Sequence, residues 1–109
     1  MSASPSMIKL EIFVPFSHLN EICNALQESG AGRIGHYEST LCFSPVKGRW
    51  RALPGANPYD GEIGKLQEAD ECKIEATCSS ENLSETVKAV KKAHPYEEPV
   101  INAIALIPV

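Results

Sequence analysis

Met7 to Val14 reads Met-Ile-Lys-Leu-Glu-Ile-Phe-Val, and Ile8, Leu10, Ile12 and Val14 alternate with Lys9 and Glu11. Apolar residues at every second position predict a strand with one buried face. Pro15 ends it. Ser17 then suits a helix N-cap, and Leu19, Ile22, Cys23 and Leu26 follow at helical spacing. Gly30 and Gly32 close that helix, because glycine takes the left-handed conformation just past a helix end.

Thr40 to Pro45 predicts a second strand, with Arg49 to Leu53 extending it after a turn at Lys47-Gly48. Pro54 to Gly64 carries three glycines and two prolines and predicts a long loop. Glu71 to Cys78 alternates again and predicts a third strand. Ser79 or Ser80 caps a second helix, with Glu81 and Glu85 early and Lys88, Lys91 and Lys92 late, a polarity that suits the helix dipole. Leu83, Val87 and Val90 form its stripe, helped by Ala89 and Ala93, and Pro95 stops it. Val100 to Val109 is apolar almost throughout, which predicts a last strand covered on both sides.

The order β-α-β-β-α-β predicts an α+β, ferredoxin-like sandwich. Right-handed crossovers give an antiparallel sheet of order 4-1-3-2 with both helices on one face. That topology gathers Pro15–His18, the loop 54–64 and the stretch 94–99 at one end. It sends Gly30–Tyr37 to the other, near Ser79 and Ser80. Lys9, Glu11, Lys73 and Glu75 share the open face and can pair across it. Residues 1–6 read as a disordered tail before a single domain over 7–109.

Composition narrows the function classes. The chain has 109 residues, 43% hydrophobic, with a net charge of −4 and interspersed signs. Nucleic acid calls for a basic patch that is missing here. No apolar run approaches the ~20 residues of a membrane span. The start lacks a basic-then-apolar signal pattern, so a cytoplasmic protein is expected. Cys23, Cys42, Cys72 and Cys78 form no Cys-x-x-Cys pair and read as free thiols in apolar segments.

The densest chemistry lies in His94-Pro95-Tyr96-Glu97-Glu98-Pro99. His94, Glu97 and Glu98, with His18 from the same end, form a candidate ligand set for a divalent metal such as zinc or manganese. The prolines favour extended or turn backbone, in which His94 and Glu98 converge more readily than all three. Tyr59, Tyr96 and Phe16 offer stacking surfaces. Amides at Gly55, Gly61 and Gly64 could approach an anion. Gly30-Ala31-Gly32-Arg33-Ile34-Gly35-His36-Tyr37 follows a helix and precedes a strand, the reverse of a dinucleotide fingerprint, so it reads as a tight turn. The candidate ligand-binding residues are Tyr59, Gly61, Gly64, Tyr96 and Arg33. No catalytic residue is assigned, and an enzyme is the least supported class.

Three motifs stand in order: Gly30 to Tyr37, Pro54-Gly55-Ala56-Asn57-Pro58-Tyr59 with Gly61 and Gly64, and His94 to Pro99. Together, from about Met7 to Leu106, they resemble the YqfO-type domain, the CutA/PII-like module of Nif-three-like proteins, which also occurs alone. The resemblance implies that fold and a homo-oligomer, a trimer first and a dimer second. It also implies an effector site between Pro54–Gly64 and His94–Pro99, by analogy of fold. The two-metal site of the larger Nif-three-like proteins lies in flanking domains, so a cyclohydrolase activity does not carry over. The readings are a regulatory or small-molecule-binding module, a divalent-metal protein using His94 and Glu98, or a structural oligomerisation module.

Overall fold

The computed structural model describes residues 6–109. β1 spans Met7–Val14, and its even-numbered residues are buried while the odd ones are half-exposed. A single 3-10 turn at Phe16–His18 leads into α1, Leu19–Glu28. The helix starts on His18, and Ser17 makes no capping bond. Its C-terminus follows the expectation. Gly30 has φ +88°, its amide bonds to Gln27 O, and the Ala31 amide reaches back to Leu26 O at 3.0 Å. These are the two bonds of a Schellman motif, and Ala31 is buried beneath them.

β2 runs unbroken through Leu41–Arg51, and β3 covers Leu66–Ser79. The turn expected at Lys47-Gly48 is absent. Lys47 pairs with Asp70 and Gly48 with Ala69 in continuous antiparallel register. At ~3.3 Å per residue, the 14 residues of β3 cover nearly the whole 48 Å length of the molecule. β1 pairs with β3 only from Cys72 to Ser79. Beyond that point β2 and β3 continue as a two-stranded arm, closed by the loop 52–65.

α2 is Leu83–Ala93, with Asn82 as N-cap in place of Ser79 or Ser80. Ser79 instead accepts the Asn82 amide on its hydroxyl at 3.2 Å. Ser80 donates its amide to Ser6 O at 3.0 Å. Residues 1–5 of the expected tail lie outside the described residues. β4 is short, Ile101–Ala105, so the expected strand over 100–109 ends four residues early. Within the single chain Ile104 of β4 is exposed, as is Ile107 beyond it.

The sheet order is β2-β3-β1-β4, the expected order read from the other edge. The core includes Leu10, Ile12, Val14, Cys72 and Ile74 from the sheet, with Ile22, Leu26 and Val90 from the helices. Each such side chain contributes roughly 1.5–3 kcal/mol on burial. On the opposite face Lys9 bonds Glu75 at 2.5 Å, and Lys73 approaches Glu11 at 3.4 Å. Glu11 and Glu75 sit directly opposite one another, so both lysines lie on diagonals and separate two like charges. Cys72 and Cys78 are buried, Cys23 is half-buried, and Cys42 is exposed, contrary to a reading of all four as interior thiols.

Candidate functional site

The arm and the segment after α2 enclose a cavity of about 440 Å³. Trp50 and Gly48 from β2, Glu71 from β3, Phe13 from β1, Tyr59 from the loop, and Tyr96 after α2 are among its walls. Two contacts close it. Glu97 Oε1 accepts the Asn57 amide at 3.0 Å, tying the two expected loops together within one chain. Tyr96 Oη donates to Glu71 Oε2 at 2.6 Å.

Aromatic rings continue across the site. Tyr96 lies 6.1 Å from Trp50, 5.8 Å from Tyr59 and 4.9 Å from His94, centroid to centroid. Tyr59 in turn meets His18 edge-on at 5.9 Å. The Trp50 indole donates to Asp60 O at 3.1 Å, which fixes the ring and the loop together.

Glu71 is only 6% exposed, although it has the same outward parity as Lys73 and Glu75. The Tyr96 segment covers it. Its Oε1 occupies the space of the side chain that Gly48 lacks: a Cβ there would sit 1.7 Å away. Gly48 is therefore a glycine for clearance, and no unusual φ is involved. Burial pushes the Tyr96 phenol up from its ordinary value, and the Glu71 hydrogen bond and charge add to this.

His94 is 7% exposed and ends α2 in an extended conformation before Pro95. Its Nδ1 accepts the Tyr96 amide at 3.1 Å. That nitrogen carries no proton, so Nε2 donates to Phe13 O at 2.7 Å. Burial holds the imidazole below its ordinary value, opposed by the Phe13 carbonyl and Glu71, with His18 lowering it further.

The residues expected to hold a metal are not assembled as a ligand set. Both His94 nitrogens are engaged inside the protein, and Glu97 is bonded to the Asn57 amide. His18 shares its Nδ1 with the Ser17 hydroxyl at 2.9 Å. Glu98 is exposed on the cavity rim. No three His, Cys, Asp or Glu side chains among the described residues converge as a metal-holding group.

Of the expected ligand-binding residues, Tyr59 and Tyr96 come together. Gly61 and Gly64 shape the loop beside the cavity without lining it, and the Gly64 amide is spent on Ala52 O at 2.8 Å. Arg33 is corrected. It borders a separate cavity with Gly30, Ser79 and Asn82 and donates to Gly35 O. The fold places that glycine turn at the far end, as the topology required. Trp50, Glu71 and Gly48 were missed. Trp50 carried a signal, since a lone tryptophan in a polar strand needs a partner for its N–H. Glu71 carried none.

No protein-family model matches the chain. It is 35% identical over 105 residues to a GTP cyclohydrolase 1 type 2 homolog of Halalkalibacterium halodurans, covering 96% of this chain and 28% of that protein. It is also 35% identical to a protein of the same name from Mycobacterium leprae, covering 94% of this chain and 27% of that protein. The chain thus spans little more than a quarter of the curated relatives it matches. Among solved structures, a Bacillus cereus protein related to NIF3 superposes with a TM-score of 0.82 at 30% identity, over 96% of this chain and 27% of that one. The periplasmic divalent cation tolerance protein CutA from Archaeoglobus fulgidus gives 0.68 at 21% identity, over 94% and 86%. That second likeness concerns the fold.

Proposed function

We propose that this chain, related in sequence to one segment of the GTP cyclohydrolase 1 type 2 homologues and CutA-like in fold, is a small-molecule-binding regulatory module. The observation that carries this reading is the Asn57–Glu97 bond, which joins the two loops over an aromatic-walled cavity of about 440 Å³. Cavities of this size with a few convergent polar groups are typical of ligand sites. The relatives' full-length chemistry is not assigned to this chain, which supplies 28% of such a protein. A thermal-shift screen of small metabolites tests the reading. A ligand should raise the melting temperature of the wild type and not of Trp50→Ala or Tyr96→Ala. A screen without a single saturable shift would refute it.

Self-association is the second part of the proposal. Phe43, Val100, Ile104 and Ile107 are exposed on or beside the two edge strands, and such apolar surface favours a second copy of the chain. Sedimentation equilibrium should give a mass that is a multiple of 11.8 kDa, and Ile104→Lys should lower it. A wild-type monomer at high concentration would end this part.

A further inference from the structure

The cavity contains one polar group that its own protein leaves half-used. Glu71 is more than nine-tenths buried, and Tyr96 Oη bonds its Oε2. Among the described residues Oε1 accepts no protein hydrogen bond; it rests over Gly48, and Glu71 lines the cavity. Thr86 Oγ1 is the one described side-chain atom that is both sealed from solvent and unpartnered. Glu71 Oε1 is therefore not sealed from solvent, and its residue lines the cavity. A carboxylate oxygen that no protein donor uses is open to a ligand's donor, and a hydrogen bond made to it in a largely buried wall is stronger than one made in water.

The surroundings specify the donor. Trp50, Tyr59 and Tyr96 present aromatic surface around the carboxylate, and ring faces attract cations and repel anions. The basic side chains on the rim are largely committed elsewhere. Lys47 bonds Asp70 at 2.5 Å and Arg49 bonds Glu68 at 2.8 Å, both on the arm. Arg51 remains, exposed at the mouth. Resting on the reading of this cavity as a ligand site, we infer that Glu71 is its recognition group and that the ligand is a planar organic cation of the amidinium or guanidinium type. Such a group donates in-plane N–H bonds to a carboxylate, and its flat face suits an aromatic wall. Oε2 also retains a lone pair beside the tyrosine bond, so a forked donor can reach both oxygens.

Trp50 is the chain's single tryptophan and stands in the cavity, so its fluorescence reports occupancy. The full chain is titrated with benzamidine, neutral benzamide and anionic benzoate, which share one ring and differ in charge. Benzamidine should quench saturably and bind at least about ten-fold tighter than benzamide, equivalent to about 1.4 kcal/mol. Glu71→Gln, checked for folding by circular dichroism, should erase that preference. Should Glu71→Gln fail to fold, the wild-type ratio of benzamidine to benzamide decides alone. Benzamide or benzoate binding as tightly as benzamidine would overturn the cation assignment and leave the cavity as a site, with Arg51 the recogniser if benzoate wins. No saturable quench from any of the three overturns the cation assignment, whereas the ligand-site reading stands or falls on the metabolite screen.

Discussion

The phenol of Tyr96 donates to the carboxylate of Glu71 at 2.6 Å across 25 residues of sequence. This bond ties the segment after α2 to the third strand, and both residues line the cavity. Tyr96→Phe removes the identified side-chain donor to a buried carboxylate while keeping the ring. It should cost about 1–3 kcal/mol in urea denaturation, in the range of an unsatisfied charged acceptor. A change below the error of the measurement would mean that water replaces the phenol.

The same bond sets an alkaline limit. The Tyr96 phenol is pushed up from 10.0 in the fold, so the unfolded chain loses that proton first. Stability from this group is complete below pH 10 and declines as pH rises toward the folded value. Urea midpoints at pH 9 and 11 should diverge more for wild type than for Tyr96→Phe.

His94 acts on the acid side. Burial lowers it below 6.5, so beneath that pH the unfolded chain binds the extra proton. Its contribution is fully present above pH 6.5 and is lost as pH falls through the folded value. Protonation would also place a hydrogen on Nδ1, against the Tyr96 amide. Stability should therefore fall between pH 7 and 5, with a smaller fall in His94→Gln. Glu11 and Glu75 are held below 4.5 and act only at lower pH, which keeps the windows apart.

Gly48→Ala tests the close fit over Glu71. A methyl group there overlaps Oε1, and relief requires moving a buried side chain. A loss of about 1–3 kcal/mol is expected, as for other overpacked sites. The loss should shrink in a Glu71→Ala background, and strict additivity in that double-mutant cycle would disprove the contact.

Thr86 predicts a gain. It is fully buried in α2, and its hydroxyl has no partner. Thr86→Val keeps the shape and removes the unpaired group, which should stabilise the fold by about 1 kcal/mol in denaturant titration.

How much of this was legible in the sequence depends on distance along the chain. β1 and both helices announce themselves because each has one buried face and hence a period. The Schellman turn at Gly30 is likewise local. Gly48 misled because a glycine between polar residues suggests a turn, whereas here it makes room for a side chain 23 positions later. Glu71 stood unmarked at the head of an expected strand, because its cover, Tyr96, comes from another element. His94 read as a metal ligand because its type was visible and its partners, the Phe13 carbonyl and the Tyr96 amide, were not. The apolar run after Val100 records exposed surface as readily as core, so the strand was drawn too long.

The pairing of β1 with β4 has one more consequence. Leu106 donates its amide to Met7 O at 3.1 Å, so the domain begins and finishes at one spot on the sheet. A polypeptide arriving at Met7 and departing after Leu106 needs no bridge between the two points. Such a domain can be spliced into a surface loop of a host protein without prying the loop apart, or cut at the arm and rejoined at its ends. That plug-in geometry suits a segment matched in relatives about three and a half times its length.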